Sequence, residues 1–190
     1  MASDQSFTLS EIARRLDVPQ YRLIHLCEKG VIVPEIHGAA GRGSSRVFSS
    51  RNFLELAVAL RLRDMMLPVA AVGAVIHVLR AFEQRLHEDL PHFALIDILR
   101  EDRAPELRVI ISDGQKLYFS PGAAGKQPKL FGGVPLDQLE GDAPTWDGHI
   151  DPVRFRGTAR NRTGGLGPEN SHYGRLELSV TAIAQALPVD

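Results

Sequence analysis

The side chains best suited to chemistry in this chain form a run of hydrogen-bonding groups near the N-terminus. Gln20, Tyr21, Arg22, His25, Glu28 and Lys29 share one side of a segment whose other side carries Leu23, Leu26 and Cys27. Amide, phenol, guanidinium and imidazole groups at helical spacing can read base edges in a DNA major groove about 12 Å wide. Arg14 and Arg15 precede the run. Arg42 and Arg46 follow it within glycine-bearing sequence, and guanidinium groups so placed suit phosphate. A solvated helix face has the same composition, so the surrounding elements must decide between the two readings.

Those elements are legible from short-range signals. Thr8 followed three residues later by Glu11 is a capping box, and Leu9, Ile12, Ala13 and Leu16 then recur at helical spacing with Arg14 and Arg15 outward. Asp17-Val18-Pro19 breaks this helix, with Val18 expected to pack on Ile12 and Ala13. A second helix is expected from about Pro19 to Lys29, with Pro19 in the first helical position and Gly30 as the residue that ends it. Val31-Ile32-Val33 before Pro34 is β-prone and is expected to pair with Arg46-Val47-Phe48. Gly38, Gly41 and Gly43 would then form a tip presenting Arg42. Ser49 or Ser50 caps a third helix, expected over 51–66, whose first turn holds Arg51 and Asn52.

This order of parts resembles the MerR-type winged helix-turn-helix regulators. The resemblance rests on Phe7-Thr8-Leu9 leading into Glu11-Ile12-Ala13-Arg14, the Val18-Pro19 turn, Leu23, and Gly30-Val31-Ile32 with Pro34. It continues through Arg46-Val47-Phe48-Ser49, Leu54, Leu60, Arg61 and Arg63 and covers roughly residues 7–88. It implies a homodimer that binds double-stranded DNA. One departure stands out: where the family commonly has Arg-Tyr-Tyr-Glu, this chain has Ile24-His25-Leu26-Cys27, which replaces a phosphate-contacting arginine by Ile24. Small MerR-like modules also serve as excision factors or antitoxins, so an interaction adaptor or assembly factor is the second reading.

A further helix is expected over 69–87. Val72, Leu79 and Leu86 recur every seven residues, with Val75 and Phe82 three places after the first two, which is the spacing of a coiled-coil seam. These five residues are the expected dimer interface, antiparallel by the resemblance; a helix buried in its own subunit gives the same spacing. Beyond it, Leu90–Arg100 reads as a short helix or a connector. Leu107–Ser112 and Gln115–Ser120 around Asp113-Gly114 read as a hairpin with a type I′ turn. Segments 129–131 and 134–136 could add a strand and a turn, and short strands are expected at 146–150, 153–156 and 176–178. Thr181–Leu187 reads as a terminal helical turn or two.

The fold class expected is therefore α+β. A winged helix-turn-helix over 7–68 is followed by a dimerisation helix and connector over 69–102 and a β-rich domain over 103–190 that serves a ligand or protein partner. Composition agrees with this division. The 190 residues carry a formal charge of −1, but residues 10–63 hold nine Lys/Arg against five Asp/Glu, while 89–190 hold eleven against fourteen. A basic first part on an acidic remainder suits nucleic acid through the first part. The single cysteine and the absence of a long apolar run point to a reducing cytoplasm and away from a membrane.

No CxxC pair, HExxH, P-loop or GxSxG elbow is present, so no enzyme, metal or cofactor is expected. Cys27 alone offers little for metal sensing. Asp147, His149 and Asp151 alternate as a solvent-facing strand would, a reading favoured over metal ligation. Arg154, Arg156, Arg160 and Arg162 suit a solvated loop slightly better than a phosphate site. Tyr118, Phe119, Phe131 and Trp146 suit a core better than a ligand pocket.

Overall fold

A computed structural model describes residues 5–35, 46–89, 94–102, 104, 106–112, 116–122, 131–135 and 175–188. Arg42, the glycine-bearing tip, and the segments 146–150 and 153–156 lie outside the described residues. The chain is α+β and divides into two compact units, residues 1–76 with 186–190 and residues 77–185.

In the first unit, β1 (Ser6–Thr8) leads directly into α1 (Leu9–Arg15). Thr8 ends the strand and caps the helix. Its side chain accepts from the Glu11 N–H at 3.2 Å while the Glu11 carboxylate accepts from the Thr8 N–H at 2.9 Å, so two N–H groups with no partner inside the helix are satisfied by one another's residues. The turn then places Asp17 at φ 53°, and α2 (Gln20–Glu28) follows. Pro19 sits one position earlier than expected, as the N-cap, and provides no side-chain acceptor. Gly30, at φ +70°, turns the chain away from α2 as anticipated.

The expected pairing of Val31–Val33 with residues 46–48 does not form. The Val31 and Ile32 N–H groups are already used, closing the end of α2 on the Leu26 carbonyl at 3.0 and 3.4 Å, and Pro34 has no N–H to contribute. The partner of β2 (Val47–Ser49) is instead β1, antiparallel, with Phe7 opposite Phe48. Both rings are buried, and Phe7 meets Phe53 edge-on with centroids 5.2 Å apart.

Ser49 ends β2 and caps α3 (Ser50–Asp64), its hydroxyl accepting from the Asn52 N–H. Every residue from Asn52 to Leu60 is buried, together with Leu62. Burial all round a helix marks the centre of a core rather than its edge. α1, α2, β1 and β2 pack around α3 or one another. Met66, at φ 67°, then turns the chain into α4 (Val69–Asp89), a helix that starts in the first unit and ends in the second.

The seam expected to meet a second copy is not open. Val72, Val75, Leu79 and Phe82 are 0, 0, 2 and 1 % exposed in the single chain, and Ile76 and Val78 beside them are buried as well. The seven-residue recurrence is the inner face of a helix covered over a wide arc by its own chain. The Leu86 side chain lies outside the described set.

In the second unit, the buried Glu83 carboxylate accepts from the Leu95 N–H at 3.0 Å. This supplies the acceptor that Ala94, as N-cap of α5 (Leu95–Arg100), lacks. β3 (Glu106–Ser112) and β4 (Lys116–Gly122) form the expected hairpin. Ser112 faces Lys116, which leaves three residues between the pair where a type I′ turn has two; those three lie outside the described residues. With β5 (Phe131–Pro135) and β6 (Arg175–Ser179) the antiparallel order is β5-β4-β3-β6. Val109 and Ile110 point to opposite faces yet both are fully buried, as a central strand covered on two sides requires. α6 (Val180–Ala186) follows β6, and the Thr181 hydroxyl accepts from the Leu107 N–H at 2.7 Å, joining this helix to the start of β3. Among the described residues, no helix is long and apolar enough to cross a membrane.

Candidate nucleic-acid interface

The outer side of α2 is where the predicted reading groups fall. Leu23 and Leu26 are buried at 0 and 1 %, which fixes the helix's rotation on α3. Tyr21 is left 70 % and Ile24 38 % exposed, and Gln20, His25, Glu28 and Lys29 are exposed with them. Between this side of α2 and the C-terminal half of α3 lies a groove of about 540 Å³. Tyr21, Arg22, Ile24, His25 and Glu28 line it from α2, and Leu60 and Arg63 from α3. The structure thus brings Tyr21, Arg22 and His25 together.

Arg22 is not an open donor. Its guanidinium pairs with the Asp64 carboxylate at the end of α3, in a part-exposed ion pair. The pairing orients a side chain that would otherwise sample many rotamers.

Arg15 departs from expectation more strongly. Its guanidinium donates to the Pro188 carbonyl and stands 5.1 Å from the centre of the Phe7 ring. The reason is local: β1 places Phe7 beside α1, and a guanidinium near an aromatic face gains from lying on it. Arg15 therefore ties the backbone at Pro188 to α1, a contact that the phosphate role expected for it does not include. Arg14, one residue earlier, is exposed, as are Lys29 and Arg46.

The chain entering and leaving 36–45 is tied down by a polar network built on Asn52, which is completely buried. Its Nδ2 donates to the Val33 carbonyl at 3.2 Å and to the Glu55 carboxylate at 3.1 Å, and its Oδ1 accepts from the Glu35 N–H at 2.9 Å. Arg51 pairs with Glu35 at 2.9 Å and with Glu55 at 3.6 Å, and the Ser49 hydroxyl donates to Glu35. Glu35 precedes the segment and Ser49 follows its return, so one network fixes both ends. Sequence reasoning placed Asn52 in the first turn of α3 without seeing this role. The signal available was an amide and a glutamate three residues apart within the otherwise apolar run 52–60 of α3.

Cys27 is half-buried, and burial pushes its thiol pKa up; the nearby Arg46 guanidinium opposes this and Glu28 adds to it. A thiol held protonated is a poor metal ligand or nucleophile. The Glu11 carboxyl is held below its ordinary value, first by the Thr8 N–H and then by the Thr8 hydroxyl, with Arg15 and Arg14 adding smaller effects. Among the described residues, no three His, Cys, Asp or Glu side chains gather in a way that would hold a metal ion. No protein-family model matches the chain, and no curated protein matches it in sequence.

Proposed function

We propose that this chain is a sequence-specific double-stranded DNA-binding regulator whose first unit acts as a winged helix-turn-helix of the MerR-like kind. The observation that carries the reading is the outer face of α2. It is rotated outward by the burial of Leu23 and Leu26, and it presents Gln20, Tyr21, His25 and Lys29 to solvent. α2 would enter the major groove. Arg14, Lys29 and Arg46, together with Arg42, would meet phosphates. One module of this size makes few base contacts, so the reading includes two copies on a pseudo-palindrome. Their contact would use side chains other than Val72, Val75, Leu79 and Phe82, which the chain itself covers. The second unit would serve a ligand or protein partner.

Selection of bound duplexes from a random pool tests this. Recovery of a common motif with two related half-sites is the expected result, and a pool that never enriches would overturn it. A second reading, an interaction adaptor, draws on Met65 and Met66, which are 40 and 85 % exposed just after α3. A stoichiometric protein partner co-purifying from native cells, with no duplex retained, would favour it.

A further inference from the structure

Resting on that reading, we infer that α2 recognises thymine through the C5-methyl group, with Tyr21 and Ile24 as the contacting residues. The two side chains stand three residues apart on α2, so they neighbour one another along the helix. Both border the groove toward α3, and they are 70 and 38 % exposed. Large apolar groups in water on a short helix gain by being covered.

The charge around them argues for base edges rather than backbone. Arg22 is paired with Asp64, and Arg63 shares the groove with Glu28. With Asp64 and Glu28 close to Arg22 and Arg63, the formal charge of this part of the face sums to zero, which makes it a poorer seat for phosphate than the exposed cations elsewhere. The exposed cations Arg14, Lys29 and Arg46 lie outside the groove lining. In the major groove, the one apolar feature a base pair offers is the thymine methyl, and the exposed His25 imidazole can donate to a guanine or adenine acceptor beside it.

The test uses the full chain and a random duplex pool amplified with either dTTP or dUTP, which differ only in the methyl group. A duplex recovered from the thymine pool is then remade with uracil at single thymines. Uracil at one or two thymines per half-site is expected to weaken binding by roughly fourfold each, the effect of exposing one methyl-sized group. Ile24→Ala should bind the thymine duplex more weakly and lose the distinction between thymine and uracil at one of those positions. Tyr21→Ala and Ile24→Ala both alter exposed side chains, and a circular dichroism spectrum matching the parent keeps the comparison valid. Equal affinity of the parent chain for the thymine and uracil duplexes overturns the inference and leaves DNA binding standing. Failure to bind either duplex at low salt overturns both. Unchanged duplex affinity in Tyr21→Ala and Ile24→Ala, with loss of a captured protein, assigns the face to a protein partner instead.

Discussion

Replacing Asn52 by alanine should cost the first unit about 3 kcal/mol. The side chain makes three hydrogen bonds inside a fully buried site, to the Val33 carbonyl, the Glu35 N–H and the Glu55 carboxylate. The first two are half-open to water and contribute about 1 kcal/mol each, whereas the bond to the buried carboxylate contributes roughly 1.5 to 3 kcal/mol. Water entering the space offsets part of this total, and Arg51 still faces Glu55. Urea unfolding followed by circular dichroism reads the effect. With a slope near 2 kcal/mol/M, the midpoint should fall by about 1.5 M. Asn52→Asp sharpens the test, because a second carboxylate would then face Glu55. Its penalty should exceed that of alanine at neutral pH and shrink in acid as the added carboxyl protonates. A loss below about 0.5 kcal/mol in Asn52→Ala would refute the assignment of this side chain as the tie between the two ends of 36–45.

Three other outcomes follow from the same contacts. Asp64→Asn releases Arg22 and removes a negative charge from the α2 face, so duplex affinity should rise about twofold to fivefold, the range of a part-exposed ion pair, in a fluorescence anisotropy titration. Met66→Gly relieves a positive φ of 67° and should raise the stability of the chain by about 1 kcal/mol, seen as a higher Tm. Glu11 has a folded pKa below its unfolded one. Its contribution is therefore present above the unfolded value and lost as pH falls through the lowered folded value. The stability difference between the parent and Glu11→Gln should be constant near neutrality and narrow only below about pH 4.5; a difference that narrows instead between pH 6 and 8 would contradict the attribution of the lowered pKa to the Thr8 cap.

What could be read from the sequence was short in range. The Thr8 and Glu11 capping box, a serine cap at Ser49 or Ser50 and the Gly30 stop each depend on residues within three or four places; the box and the stop are found where expected, and of the two serines it is Ser49 that caps. The β3–β4 hairpin was legible for the same reason. The partner of β2 was not, because the choice between Val31–Val33 and Ser6–Thr8 turns on which N–H groups are already spent in closing α2. The α4 recurrence does not separate an inner face from an intermolecular one, because both share one period. The Arg22–Asp64 pair spans 42 residues, and no local pattern announces it. Arg15 likewise depends on the chain's far end meeting α1.

The central claim is that the first unit holds duplex DNA through cations set around α2, and salt dependence measures that most directly. Anisotropy of a labelled duplex with the full chain should give an affinity that falls steeply between about 50 and 200 mM salt. With Arg14, Lys29, Arg42 and Arg46 as the phosphate contacts, the slope of log affinity against log salt should be near −3.6, and Arg46→Ala should reduce its size by about 0.9. No binding at 50 mM salt, or binding that salt does not weaken, would contradict the account.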